Sequence, residues 1–380
     1  MMLVRVIAAL AKPALVGGTL TVTVAGSYIG YERWHDDGVS PFQQVQSQGQ
    51  RLLISEFGED ADTIVAVDPA DAAARTEIAT IDHAPGYGIF ATLSPDGEAI
   101  AYTALPSDSA QPSPDAAAHA AIVDGDGDVA LLADDVDLLV PPVWSPDSES
   151  IVVRKNVPED DGAGSFELIA LAIDGSRATV TAWSNAAVFP IAFAPDGSTL
   201  YFATLNERGT DLYRVAPDGA DETLIAHLSD EIARDWRLSP DGTTLAYTVA
   251  ESGLTPRVVT KTLDLASGEA ERVTSSEDRM EFNPAWNGDD ELTISSVKPE
   301  GGSDAVSVDA RGGVWPLSRN DDSIDVPLAW SPDDSTLAVR TVEGESASDT
   351  ATSYVEFLTP GGARDRVSDS ADVLIVGWIE

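Results

Sequence analysis

The chain has no cysteine. That excludes disulfide staples, thiolate metal centres and a cysteine nucleophile, and it leaves the cellular compartment open. Lysine is almost missing: Lys12, Lys155, Lys261 and Lys298 are all there are. Basic residues number 22 against 64 acidic ones, for a net charge of −42. A surface of that sign repels phosphate backbones and anionic lipid headgroups, which argues against a nucleic-acid partner. The same balance resembles that of proteins from salt-loving organisms, where dense carboxylates meet concentrated salt. Strong charge can also mean disorder, but 43% hydrophobic residues supply ample apolar area for a core. The four histidines, His35, His83, His119 and His227, show no metal-ligand spacing and read as scattered surface or core residues. No Gly-x-Ser-x-Gly occurs, so there is no nucleophile elbow of the α/β-hydrolase kind. With 64 acids some carboxylates must lie close together by chance. No catalytic residue and no cofactor is therefore predicted.

What is present is a repeat. Leu93-Ser-Pro-Asp-Gly97 is followed by Ala99-Ile-Ala-Tyr102, and Trp144-Ser-Pro-Asp147 by Ile151-Val-Val153. Phe193-Ala-Pro-Asp-Gly197, Leu238-Ser-Pro-Asp-Gly242, an eroded Trp286-Asn-Gly-Asp289 and Trp330-Ser-Pro-Asp333 continue the series, and Trp378 repeats the leading aromatic. Successive anchors are 51, 49, 45, 48, 44 and 48 residues apart. A fixed period in this range marks a solenoid, a propeller or an array. Pro sets φ for a tight turn, Asp bonds its own backbone, and Gly supplies positive φ. Each turn is flanked by β-rich runs, and each period holds two further ones, such as Asp211-Leu-Tyr-Arg-Val215 and Glu222-Thr-Leu-Ile-Ala226. Four short strands per period describe a propeller blade. The strict period of the anchors assigns them to packing between blades.

This repeat resembles that of the TolB-type propeller family, over roughly residues 50–380. The resemblance implies an all-β propeller fold and carries no function. TolB itself is not implied, because no room is left for its additional N-terminal α/β domain. The first blade, with strands expected at 51–57, 63–67 and 76–80, lacks a Ser-Pro-Asp-Gly strand of its own. Val373-Leu-Ile-Val-Gly-Trp378 is that strand in register, so the C-terminus is expected to close the ring. The expected fold is a seven-bladed β-propeller over residues 51–380. Six blades, the common number in TolB-type propellers, is the alternative.

Residues 1–34 differ from the rest. Arg5 and Lys12 precede 19 residues without charge, 13–31, after which Tyr28, Tyr31 and Trp34 cluster near Asp36 and Asp37. This reads as one transmembrane helix over 13–31, with residues 1–12 in the cytoplasm, 32–50 a polar linker and the propeller outside. A cleaved signal peptide is the competing reading. The expected location is the cell membrane, single-pass.

Successive loops of a propeller alternate between two faces. The Ser-Pro-Asp-Gly turns share one face and are short. The longer, acidic loops 105–118, 134–141, 156–165, 229–235, 275–281 and 318–325 share the other. Binding concentrates on long loops held by a rigid scaffold. Tyr87, Phe189, Arg208, Arg234 and Trp236 are the candidates there for a protein partner, since aromatics and Arg dominate interface energies. Their alternative role is to cover the ends of neighbouring blades. Asp124, Asp126 and Asp128 alternate like the start of a calcium loop, but Val129 stands where such a loop needs Gly, and a hairpin turn explains the same residues. The expected function is a membrane-anchored extracytoplasmic interaction or scaffold module. The alternatives are a propeller hydrolase or lyase with a site at the channel mouth, and an accessory subunit of a membrane or envelope complex.

Overall fold

The computed structural model describes residues 41–109, 111–157, 165–251, 257–299, 301–309, 313–319, 322–343, 352–368 and 372–380. They form seven four-stranded antiparallel sheets, the blades of a β-propeller. Blade 1 combines Arg51–Glu56, Ala61–Asp68 and Asp71–Asp82 with the C-terminal strand Val373–Ile379, which lies innermost. Leu52 faces Trp378, and Glu56 faces Val373. The ring is thus closed by the C-terminus, with seven blades rather than six.

Blades 2 to 7 each begin with an innermost strand that ends at or beside an anchor: Ile89–Leu93, Val143–Trp144, Ala187–Phe193, Ala233–Leu238, Met280–Trp286 and Ser323–Trp330. The second strands are sandwiched between neighbouring blades on both faces and carry short continuous apolar runs, as in Leu52-Leu-Ile54 and Ile151-Val-Val153. The core is accordingly a ring of inter-blade layers. One layer joins Leu53 and Ile64 of blade 1 to Ile100 and Tyr102 of blade 2. Another joins Leu52 and Ile54 to Val355 and Phe357 of blade 7, across the closure. Each fully buried Leu or Ile there contributes about 1.5–3 kcal/mol.

The repeated turn is held by its own side chains. Ser94, Ser145, Ser239 and Ser331 donate to Asp96, Asp147, Asp241 and Asp333. The same Ser oxygens accept the backbone N–H of Ala99, Ser150, Thr244 and Thr336. In the eroded copy the Asn287 side chain accepts from Asp289 and Glu291 instead. The fourth turn position keeps a positive φ even without Gly: Ser148 at 59°, Asp290 at 59° and Asp334 at 57°. Those three side chains stitch the ring. Each accepts a backbone N–H from the turn of the preceding blade, at Asp96, Asp241 and Gly288. The anchors do likewise: the indoles of Trp144 and Trp286 donate to the Thr92 and Arg237 carbonyls of the preceding blade.

Two features of the linker region and loops differ from expectation. Pro41–Gln46, expected within a polar tether, is a helix (α1) whose Phe42 and Val45 are buried in the layer between blades 1 and 2. The Gln46 side-chain amide donates to the Gly97 carbonyl, so α1 covers part of the turn face. Phe42 and Val45 lie three apart, on one helical face, which the five glutamines of residues 43–50 mask in the sequence. Strand Val129–Val136 also extends into the loop expected at 134–141. The anchor expected at 13–31 lies outside the described residues. Among those described, no helix is long and apolar enough to cross a membrane.

Candidate interaction face

The loops that join second to third strands, and those that join one blade to the next, share the face opposite the turns. The five candidate residues fall on this side but not in one patch. Tyr87, in the connection between blades 1 and 2, is half-buried, and its hydroxyl donates to the Pro112 carbonyl. Arg208 is 80% exposed on a tight turn of blade 4, 3.7 Å from Asp211. Phe189 and Trp236, on the innermost strands of blades 4 and 5, do meet, with ring centroids 5.6 Å apart. Arg234 lies beside them in sequence, 3.7 Å from Asp235. The innermost strand of blade 5 bulges between Arg234 and Arg237, and Asp235 takes φ 55°. A bulge of this kind re-aims the side chains around it.

The structure adds a partner that the sequence did not suggest. Arg154, buried on the second strand of blade 3, lies 4.7 Å from the Phe189 ring centre and 5.1 Å from that of Phe166. Its charge is matched by Asp137 at 2.6 Å, and it also donates to the Val188 carbonyl. Phe189 is therefore largely a packing residue over this ion pair. The Trp236 indole N–H is buried with no hydrogen-bond partner among the described residues.

Two histidines that looked scattered have equivalent partners in blades 1 and 4. His83 Nε2 lies 2.9 Å from Asp62, and its Nδ1 lies 2.9 Å from the Ala84 carbonyl. His227 Nδ1 lies 2.7 Å from Asp211, and its Nε2 lies 3.1 Å from Asp230. In both rings each nitrogen faces an oxygen acceptor, and only the doubly protonated imidazolium satisfies both. Burial of His83 works against its charge, but Asp62 and the Ala84 carbonyl outweigh it, and its pKa lies above the usual value. The hydrogen bond that His227 donates to Asp211 raises its own pKa, against a smaller desolvation. Asp124, Asp126 and Asp128 form the hairpin turn between Ala118–Asp124 and Val129–Val136, with the Asp124 carboxylate accepting the N–H groups of Asp126 and Asp128. Among the described residues no group of three or more such ligands could hold a metal ion.

This face also carries a cleft of about 1120 Å³ between blades 5 and 6. Its walls come from the short outer strands Ala270–Arg272 and Val314–Pro316 and from the connections at 273–279 and 317–319. Arg272, Arg279, Lys298 and Arg319 line it together with Glu277 and Asp304. Glu281 lies beneath, fully buried, accepting the Thr260 N–H and the Thr274 hydroxyl. Burial pushes its pKa up. The sequence pointed to loops 275–281 and 318–325 but not to these cations, because they come from four separate segments.

No protein-family model matches the chain, and no curated protein matches it. Solved structures do. An oligogalacturonate lyase in complex with manganese is 15% identical over 83% of this chain and 87% of that one, with a TM-score of 0.58. The β-propeller domain of the trilobed protease from Pyrococcus furiosus is 12% identical over 84% and 94%, with a TM-score of 0.55. A prolyl endopeptidase is 12% identical over 89% of this chain, with a TM-score of 0.56, and this chain spans 53% of its length. TolB proteins are among the neighbours, as the repeat implied; that from Acinetobacter baumannii is 15% identical over 86% and 81%, with a TM-score of 0.48. At these identities the likeness shows a shared propeller fold, and peptidases and a lyase share it equally.

Proposed function

We propose that this chain is an interaction module that presents its long-loop face to a protein partner outside the cytoplasm, tethered by its N-terminal segment. The observation that carries this reading is the placement of α1. It packs on the turn face, so the described chain enters the ring there, and a membrane attachment through residues 13–31 would leave the long-loop face pointing away from the bilayer. The turns of the opposite face are engaged in satisfying their own backbone, while the long-loop face carries exposed arginines in an otherwise acidic molecule. On this reading the net charge of −42 is a solvated surface adapted to high salt.

The test is co-purification from native membranes. The double variant Arg208→Glu and Arg234→Glu should lose the partner while keeping the circular dichroism and melting temperature of the parent. The turn-face double variant Glu98→Lys and Glu149→Lys should retain it. Equal loss from both pairs would mean that the face is wrongly chosen.

A further inference from the structure

The cleft between blades 5 and 6 concentrates positive charge in a molecule that has little. Arg257, Lys261 and Arg272 all reach Glu251. Arg257 and Arg272 also share Glu277. Arg279 and Lys298 share Asp304, at 2.9 and 3.2 Å. Arg319 is exposed and has no ion partner among the described residues. Five cations thus converge on three carboxylates, each contacted by two or three of them, and Arg319 adds a sixth positive charge to the cleft wall. An incoming anion meets guanidinium and ammonium donors whose capacity those carboxylates do not fill.

The shape is as informative as the charge. A recess of about 1120 Å³ exceeds the usual span of a small-molecule pocket, roughly 300–1,000 Å³. The flanking outer strands pair with their neighbours at only three positions each, which leaves 257–259 and 303–304 without a partner strand on their outer side. Val273, Val306, Val314 and Pro316 supply an apolar wall beside the cations. Roomy and lined by both cations and aliphatic groups, the cleft suits an extended chain whose carboxylates alternate with aliphatic side chains.

We propose that this cleft binds an acidic peptide segment of the protein partner, with Arg279, Lys298 and Arg319 taking its carboxylates and Val306, Val314 and Pro316 its aliphatic groups. The proposal deepens the interaction-module reading and rests on it. The acidic remainder of the surface repels such a segment, while the cations of the cleft attract it.

Binding of a fluorescein-labelled peptide of alternating Glu and Val to the full chain, followed by anisotropy, tests this. The full chain should bind it, more weakly as salt rises above about 0.1 M. Arg319→Glu and Arg279→Gln should each weaken it by about tenfold or more, as expected for loss of a charge-assisted contact. Arg319 makes no described ion pair, so its variant should keep the parent melting temperature. Arg214→Glu, at an exposed position on the third strand of blade 4, should leave the affinity unchanged. Equal weakening by Arg214→Glu, equal binding of a Lys-Val peptide, or competition by sulfate or oligogalacturonate as effective as by the unlabelled peptide would each overturn the proposal. If the peptide fails while the Arg208 and Arg234 variants still lose the native partner, this proposal falls and the interaction-module reading stands.

Discussion

On the turn face, polar groups find partners two to five residues away or in the same turn of the next blade. On the long-loop face, beside short pairs such as Arg208 with Asp211, several buried groups find them across blades or loops. The Ser94–Asp96 and Ser239–Asp241 bonds are of the first kind. Of the second kind are Asp62 with His83, Asp137 with Arg154 and Asp304 with Arg279, separated by 21, 17 and 25 residues. Blade 7 takes this furthest. There Asp325, Thr341, Glu356 and Arg364, one from each of its four strands, form a single connected set around the fully buried Asp325. Local satisfaction makes a face regular and repeatable. Distant satisfaction allows each blade to differ, and the cleft between blades 5 and 6 is one result.

Both faces depend on a closed ring, so the largest expected effect comes from opening it. Deleting residues 372–380 removes the innermost strand of blade 1 and Trp378, which packs 5.8 Å from Phe357 of blade 7. The loss should exceed the roughly 3–5 kcal/mol of a single large-to-small aromatic change in a core. Thermal melting should drop steeply or lose cooperativity; a truncated protein that melts like the full chain would refute the closure.

A smaller effect separates the two kinds of turn residue. Gly242 has φ 72°, and a Cβ there would lie 2.3 Å from Pro195 Cδ of the preceding blade. Gly242→Ala should cost about 2–3 kcal/mol from backbone strain and overpacking. At Ser148 the same backbone carries a side chain that bonds the preceding turn. Ser148→Gly relieves about 1 kcal/mol of left-handed strain and loses a hydrogen bond of similar worth, so it should be nearly neutral. Urea titrations of both variants would show whether the difference holds.

The mildest effect is on pH dependence. Hydrogen bonds from Ser145, Ser239 and Ser335 hold Asp147, Asp241 and Asp333 below the usual carboxylate pKa. Their stabilisation is present above the unfolded pKa and is lost as pH falls through the folded value. His83, His227 and Glu281 are raised instead. Their stabilisation is full below the unfolded pKa and is lost as pH rises through the folded one. The turn face should therefore loosen on the acid side and the long-loop face on the alkaline side. Hydrogen exchange between about pH 5 and 8 should expose the Ile89 amide, which Asp62 accepts beside His83, before the turn amides of Thr244 and Thr336. The reverse order would break the contrast between faces.

The blade, the number of blades, the closing strand and the division into two faces were legible in the residues alone. The reason is that one turn and four strands are specified by contacts within a window of about 47 residues, and the pattern recurs each time. The sequence also indicated which loops are long. It did not disclose α1, because two apolar residues among glutamines carry no periodic signal until Leu53, Ile64 and Ile379 surround them. Nor did it disclose the His–Asp pairs, or the Arg154 stack that makes Phe189 a packing residue. Arg272, Arg279, Lys298 and Arg319 are spread over 48 positions of the chain and are unremarkable in order. Only the packing of blade 5 against blade 6 brings them to the wall of one cleft, and charge acts through space rather than along the chain.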